Sequence, residues 1–102
     1  VDLAVIATPA HSVPEILHAC GVLGVRAAIV LSAGFEGAEG EVLRGQLQEA
    51  ARLYGMRVLG PNCLGLIRPR LGLNATFSLG NAQPGNLALV SQSGALCTAI
   101  LD

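Results

Sequence analysis

The sequence predicts an α/β fold built on a parallel sheet. Three observations point there. Short, uninterrupted apolar runs recur at Leu3 to Ala7, Ala27 to Leu31 and Met56 to Leu59, as expected of strands flanked by other structure on both faces. Long helix-patterned segments separate them. Each run closes on small or turn-forming residues, Thr8-Pro9, Ser32-Ala33-Gly34 and Gly60-Pro61-Asn62-Cys63. Strands joined by crossovers of this length pair in parallel.

Taken in order, the first run leads to Ser12-Val13-Pro14-Glu15. Ser12 can cap a helix, Pro14 suits its first turn, and Glu15 stands where a capping box needs it. Val13, Ile16, Leu17 and Cys20 form the apolar stripe, and Gly24 terminates it. The second run feeds a glycine-rich stretch, Gly34 to Gly40, that imitates a phosphate loop. Glu36, Glu39 and Glu41 crowd it with carboxylates, which repel phosphate. It is expected to be a flexible loop and an acidic helix start. The helix then runs from about Glu39 to Tyr54, with Gly55 at its end. After the third run, Leu64 to Ile67 reads as a short extension and Asn74 to Phe77 as a further short strand. The polar turn Gln83-Pro84-Gly85-Asn86 is the best domain boundary. A new strand is expected over Leu87 to Val90 and a new helix over Ser93 to Leu101. The division is therefore residues 1–83 and 84–102.

Composition narrows the function. One domain fits in 102 residues. Only 13% are charged, and the core must be aliphatic because 3% are aromatic. A net charge of -1, with six arginines scattered and no lysine, does not make a nucleic-acid surface. Cys20, Cys63 and Cys97 are too dispersed for a zinc site or a disulfide framework, so a reducing, cytoplasmic setting is expected and no metal. No apolar run reaches membrane-spanning length. The first residue is not Met and the last helical pattern is interrupted, so the chain is expected to be part of a longer protein.

The three strand exits should align along one sheet edge, where open parallel sheets bind ligands. Ser91-Gln92-Ser93-Gly94 joins the fourth run to a helix start, whose free N–H groups and two hydroxyls suit an anion. A plain serine cap fits the same residues, and so, faintly, does a serine nucleophile elbow. Cys63 has no base near it in sequence, so backbone proximity to a ligand is expected rather than covalent chemistry. His11 falls in a strand exit, and His18 reads as structural. Asn74-Ala75-Thr76 matches a glycosylation acceptor that a cytoplasmic chain would not use.

Five segments taken together, Ile6-Ala7-Thr8-Pro9-Ala10, Leu31-Ser32-Ala33-Gly34-Phe35, Gly60-Pro61-Asn62-Cys63-Leu64-Gly65, Leu73-Asn74-Ala75-Thr76-Phe77 and Val90-Ser91-Gln92-Ser93-Gly94-Ala95, resemble the NDP-forming acyl-CoA synthetases, relatives of succinyl-CoA synthetase. The resemblance implies the second half of a Rossmann-like CoA-binding domain, followed by the first strand and helix of a flavodoxin-like domain. It implies that Thr8, Pro9, Ser32, Ala33, Gly34, Asn62 and Cys63 lie along CoA or acetyl-CoA. It further implies that Ser91, Ser93 and Gly94 hold phosphate.

The implied reaction joins a small acid to CoA at the expense of ATP, through an acyl phosphate and a phosphohistidine. That histidine and the glycine-rich loop for the CoA phosphates fall outside this chain in the family. So does the ATP-grasp domain or subunit that binds nucleotide and Mg2+. No catalytic residue is therefore expected here, and an oligomer is. The alternative is the synthetase-like, CoA-binding region of a protein lysine acetyltransferase, or a bare CoA-binding module.

Overall fold

The computed structural model describes residues 1–101. Asp102, the last residue of the expected second segment, lies outside them. Three parallel strands, β1 (Leu3–Ile6), β2 (Ala27–Val30) and β3 (Arg57–Leu59), pair in that order. Helices α1 (Val13–Val22) and α2 (Gly37–Tyr54) make the two crossovers. Both crossovers advance in the same direction across the sheet, and the right-handed rule then places both helices on one face.

That face holds the core. Ile6, Ala28 and Val30 from the sheet meet Val13 and Leu17 of α1 and Leu47 and Ala50 of α2, with Phe35 and Met56 closing the ends. The opposite face is only partly covered. Val5, Ile29 and Leu59 stand in one row across the three strands. Ile29, in the middle, is buried, whereas Val5 and Leu59 are 49% and 45% exposed. Burial on both faces, expected from the apolar runs, is thus met on one.

Local chemistry sets the boundaries. The capping box expected at Ser12 is not formed: its side chain makes no cap bond to α1. A 3-10 turn, Ala10–Ser12, precedes the helix, so Ser12 already has helical backbone angles. Its hydroxyl turns back to the Pro9 carbonyl, 2.6 Å away. Helix α2 begins earlier than expected, and the stretch before it is no loose loop. Phe35 is 1% exposed, and Gly40 packs so tightly on the Phe35 backbone that a Cβ there would collide with it. Gly55, at φ 62°, ends the helix in the left-handed conformation expected of it.

Beyond β3 the chain leaves the sheet. Leu64 to Ile67 is not an extension of the third strand. Instead β4 (Gly65–Arg68) forms an antiparallel hairpin with β5 (Leu73–Thr76). The pairing brings Thr76 directly opposite Gly65, whose φ is 126° and whose missing Cβ leaves room for the Ala75 carbonyl. The expected strand at Leu87 to Val90 is absent, although the helix after it, α3 (Gly94–Leu101), is present. A strand exists only where its backbone finds a partner edge, and none of the described strands pairs with this segment. Among the described residues no helix is long and apolar enough to cross a membrane.

Candidate functional site

The carboxyl ends of β1, β2 and β3 are tied to one another. Leu31 N–H donates to the Ile6 carbonyl at 2.8 Å, just past the paired register. Ser32, 8% exposed, donates its hydroxyl to the Thr8 carbonyl at 2.5 Å. The Ser32 carbonyl in turn accepts the Asn62 N–H at 2.9 Å. Asn62 has φ 54° and is the one described non-glycine residue with positive φ. Asparagine tolerates that conformation better than most side chains. The neighbouring Gly60-Pro61 peptide is cis. Gly60 lies against the Val30 carbonyl closely enough to exclude a Cβ.

Past these exits lies a cleft of about 820 Å³, within the usual range for small-molecule and cofactor sites. Thr8, Pro9, Ser32, Ala33, Asn62 and Cys63 line it on the sheet side, and Gln92, Gly94 and Thr98 on the α3 side. Leu64 and Phe77 form its apolar end. Seven residues singled out in the sequence therefore meet here: Thr8, Pro9, Ser32, Ala33, Asn62, Cys63 and Gly94. Gly34, Ser91 and Ser93 do not line the cleft. Gly34 lies against the 3-10 turn, where a Cβ would sit 3.1 Å from that of Ala10. His11 does not line it either.

The two serines before α3 serve the backbone. Ser93 N–H donates to the Ser91 hydroxyl at 3.0 Å, and Leu96 N–H donates to the Ser93 hydroxyl at 3.2 Å, a regular helix cap. A hydroxyl that accepts in this way keeps its own proton for a further acceptor; that of Ser91 goes to the Ser93 carbonyl at 3.4 Å. Ser12 and Thr8 show how such protons are directed. Ser12 Oγ lies 2.6 Å from the Pro9 carbonyl and 2.8 Å from Thr8 Oγ1. The Ser12 hydroxyl thus sits between two acceptors, and it ties the Thr8 side chain to the 3-10 turn.

The Cys63 thiol donates to the Val30 carbonyl at 3.4 Å, and burial pushes its pKa up. It stays protonated at neutral pH, which suits a wall residue and not a nucleophile. No group of His, Cys, Asp and Glu among the described residues could hold a metal ion.

Sequence reasoning missed the apolar end of the cleft. Phe77 was legible as part of a motif, yet only the hairpin, extended by Phe77 N–H to the Leu64 carbonyl at 3.2 Å, turns it toward the exits. The polar part of that motif braces the chain instead. Asn74 donates to the Gly80 carbonyl at 3.0 Å and to Asn81 at 2.8 Å, which ties down the segment after β5.

An open parallel sheet whose strand exits and one helix start converge on a cleft defines a ligand-binding α/β domain. The chain belongs to the CoA binding domain family, whose model matches residues 1–69. It is 50% identical over 103 residues to the alpha subunit of an ADP-forming acetate–CoA ligase I of Pyrococcus furiosus, covering 99% of this chain and 22% of that protein. An ADP-forming 4-hydroxybutyrate–CoA ligase of Nitrosopumilus maritimus is 38% identical over 106 residues, covering 100% of this chain and 15% of that one. Among solved structures, an acetyl-coenzyme A synthetase 1 of Ca. Korarchaeum cryptofilum in complex with phosphate and ADP superposes with a TM-score of 0.87 at 45% identity, covering 99% of this chain and 22% of its own. The chain thus spans less than a quarter of these relatives.

Proposed function

We propose that this chain is the CoA-binding part of an ADP-forming acyl-CoA ligase, in which residues 1–83 complete a Rossmann-like domain and residues 84–102 open a flavodoxin-like one. The observation that carries this is the convergence of three strand exits on one cleft in a chain of the CoA-binding family. The cleft fits such a ligand. Its volume of about 820 Å³ has room for part of such a ligand, and small residues, hydroxyls and apolar side chains all line it. Thr8, Pro9, Ala33, Asn62 and Cys63 would hold CoA against the sheet edge, with Gly34 shaping the turn beside it.

The same family region occurs in relatives named for different acids, acetate and 4-hydroxybutyrate. That is the pattern of a region that binds the shared thiol carrier and leaves acid selection to other parts. CoA supplies the thiol that takes up the acyl group. The α3 start contributes an anion site in this account. The Ser93 hydroxyl proton and the Gly94 N–H stand at the positive end of the helix, with the Ser91 side chain bracing the turn through the Ser93 N–H and carbonyl, and phosphate would be held there during transfer. His11 and His18 take no part. The phosphorylated histidine, the acid and the ATP, ADP and Mg2+ belong to parts outside this chain, an ATP-grasp domain or subunit in an oligomer. Three free thiols suit a reducing, cytoplasmic setting.

The test uses the full-length protein that contains this chain. Supplied with acetyl-CoA, ADP, phosphate and Mg2+, it should form ATP and an acid-labile phosphohistidine. CoA-ester binding without ATP formation, across common short acyl groups, would overturn the ligase assignment in favour of a sensor or an acetyltransferase-fused protein.

A further inference from the structure

We propose that Ser32 is a positioning residue that sets the spacing of the strand exits, and not a direct contact of the ligand. The inference rests on the CoA-binding assignment above and refines it.

Ser32 is the one buried polar residue of the described chain, at 8% exposure. Its hydroxyl has a single proton, and the Thr8 carbonyl, 24 residues away on the neighbouring exit, receives it at 2.5 Å. Its carbonyl faces the other way and receives the Asn62 N–H from the third exit at 2.9 Å. One residue on the central strand's exit therefore holds both flanking exits, one through its side chain and one through its backbone. The residues so held, Thr8 and Asn62, are exposed and line the cleft, which Ser32 itself borders from below with its hydroxyl already engaged.

The coupling has a reason to be needed. Past Ile6, Val30 and Leu59 the ladder ends; Leu31 N–H to the Ile6 carbonyl and the Cys63 thiol to the Val30 carbonyl carry it a little further, and the two bonds of Ser32 are the ones that reach Thr8 and Asn62. Asn62 adopts the left-handed backbone that asparagine tolerates, and the bond its N–H makes to the Ser32 carbonyl fixes where that turn stands against the second exit. With the Ser32 hydroxyl gone, the Thr8 carbonyl loses its donor and the first exit is free to move relative to the second. The second exit carries the carbonyl that holds Asn62. The residue therefore acts on ligand affinity through two neighbours.

The test is Ser32→Ala in the full-length protein, with two measurements. Calorimetry with CoA should show affinity weakened roughly tenfold, the usual scale for one lost bond to a semi-buried carbonyl, while ADP binding is unchanged. Hydrogen exchange without ligand should show the Asn62 amide opening faster than in the parent. Weaker CoA binding with unaltered Asn62 exchange would overturn the proposal and make Ser32 a direct contact. Faster exchange with unaltered CoA affinity would overturn it too, leaving Ser32 structural only. If the alanine variant does not fold, Ser32→Cys, with a weaker donor of similar size, should move both readouts the same way by less. An unmodified protein that fails to bind CoA would instead sink the binding assignment itself.

Discussion

Residues 3–59 and residues 65–101 are built on opposite terms. The first part carries every buried apolar side chain of the described chain, from Ile6 to Met56. The second has none, and displays Phe77, Leu79, Leu87 and Val90 at 65%, 107%, 99% and 97% exposure. Yet the cleft is made by both, with sheet exits on one wall and the hairpin and α3 on the other. The difference separates two duties. The sheet and its two helices supply rigidity, which holds a backbone edge at fixed spacing. The later segments supply an apolar surface and a helix start at that edge, with little packing of their own.

The contrast can be broken most forcefully from inside the core. Leu17→Ala, at a fully buried position against the sheet, should cost about 2–5 kcal/mol. Leu79→Ala should change stability by no more than about 0.5 kcal/mol. Urea denaturation of both variants checks the ranking, and equal losses would erase the distinction between the two parts. Next comes Gly40→Ala. Its new methyl group meets the Phe35 backbone, which cannot swing aside, and a loss of about 1–3 kcal/mol is expected. Gly21→Ala meets the Tyr54 ring at its Cγ, which rotation of the ring cannot clear, so the whole side chain must swing away and give up its contact with His18; its loss in the same titration should be measurable but smaller than that of Gly40→Ala, where backbone is struck.

A finer test probes the cleft wall. Burial raises the Cys63 pKa, so the thiolate forms only above the pH at which an ordinary cysteine ionises. The rate of iodoacetamide labelling at Cys63 should therefore rise at higher pH than that of a free cysteine peptide. Labelling at Cys63 that is as fast as the peptide's at neutral pH would contradict the buried, hydrogen-bonded thiol. The smallest effect belongs to the surface of α2. Glu49 and Arg52 form an ion pair, which lowers the Glu49 pKa, but both side chains are mostly in water. Glu49→Gln should leave the melting temperature unchanged within error.

The sheet half was legible in the sequence because local and global signals agree there. Val13 and Leu17 stand at helical spacing in α1, Gly55 stops α2, and the apolar runs mark β1 to β3. What was misplaced depended on neighbours the sequence does not name. Ser12 fits a capping box by spacing, but the 3-10 turn rotates it toward Pro9. Leu87 to Val90 has strand composition, yet strand structure requires an edge to pair with. The glycines from Gly34 to Gly40 read as a flexible loop by composition, but the burial of Phe35 among them anchors the segment. For the site, the strand exits were visible as punctuation, since turn residues end apolar runs. Leu64 and Phe77 were not, because only the hairpin's register aims them at the cleft. Ser32 was legible as a strand-exit residue, but its bond to the Thr8 carbonyl depends on the pairing of β1 with β2.

The proposal that CoA lies along the exits at Thr8 and Asn62 is the one on which the rest depends. It is tested most directly by calorimetric titration of CoA into the full-length protein and its Asn62→Trp variant, with Asn62→Gly as a control that keeps the positive φ. The account predicts that tryptophan fills the cleft and weakens CoA binding at least about tenfold, the equivalent of about 1.4 kcal/mol, whereas glycine nearly preserves it. Undiminished CoA affinity in the tryptophan variant would place the ligand elsewhere and contradict the account.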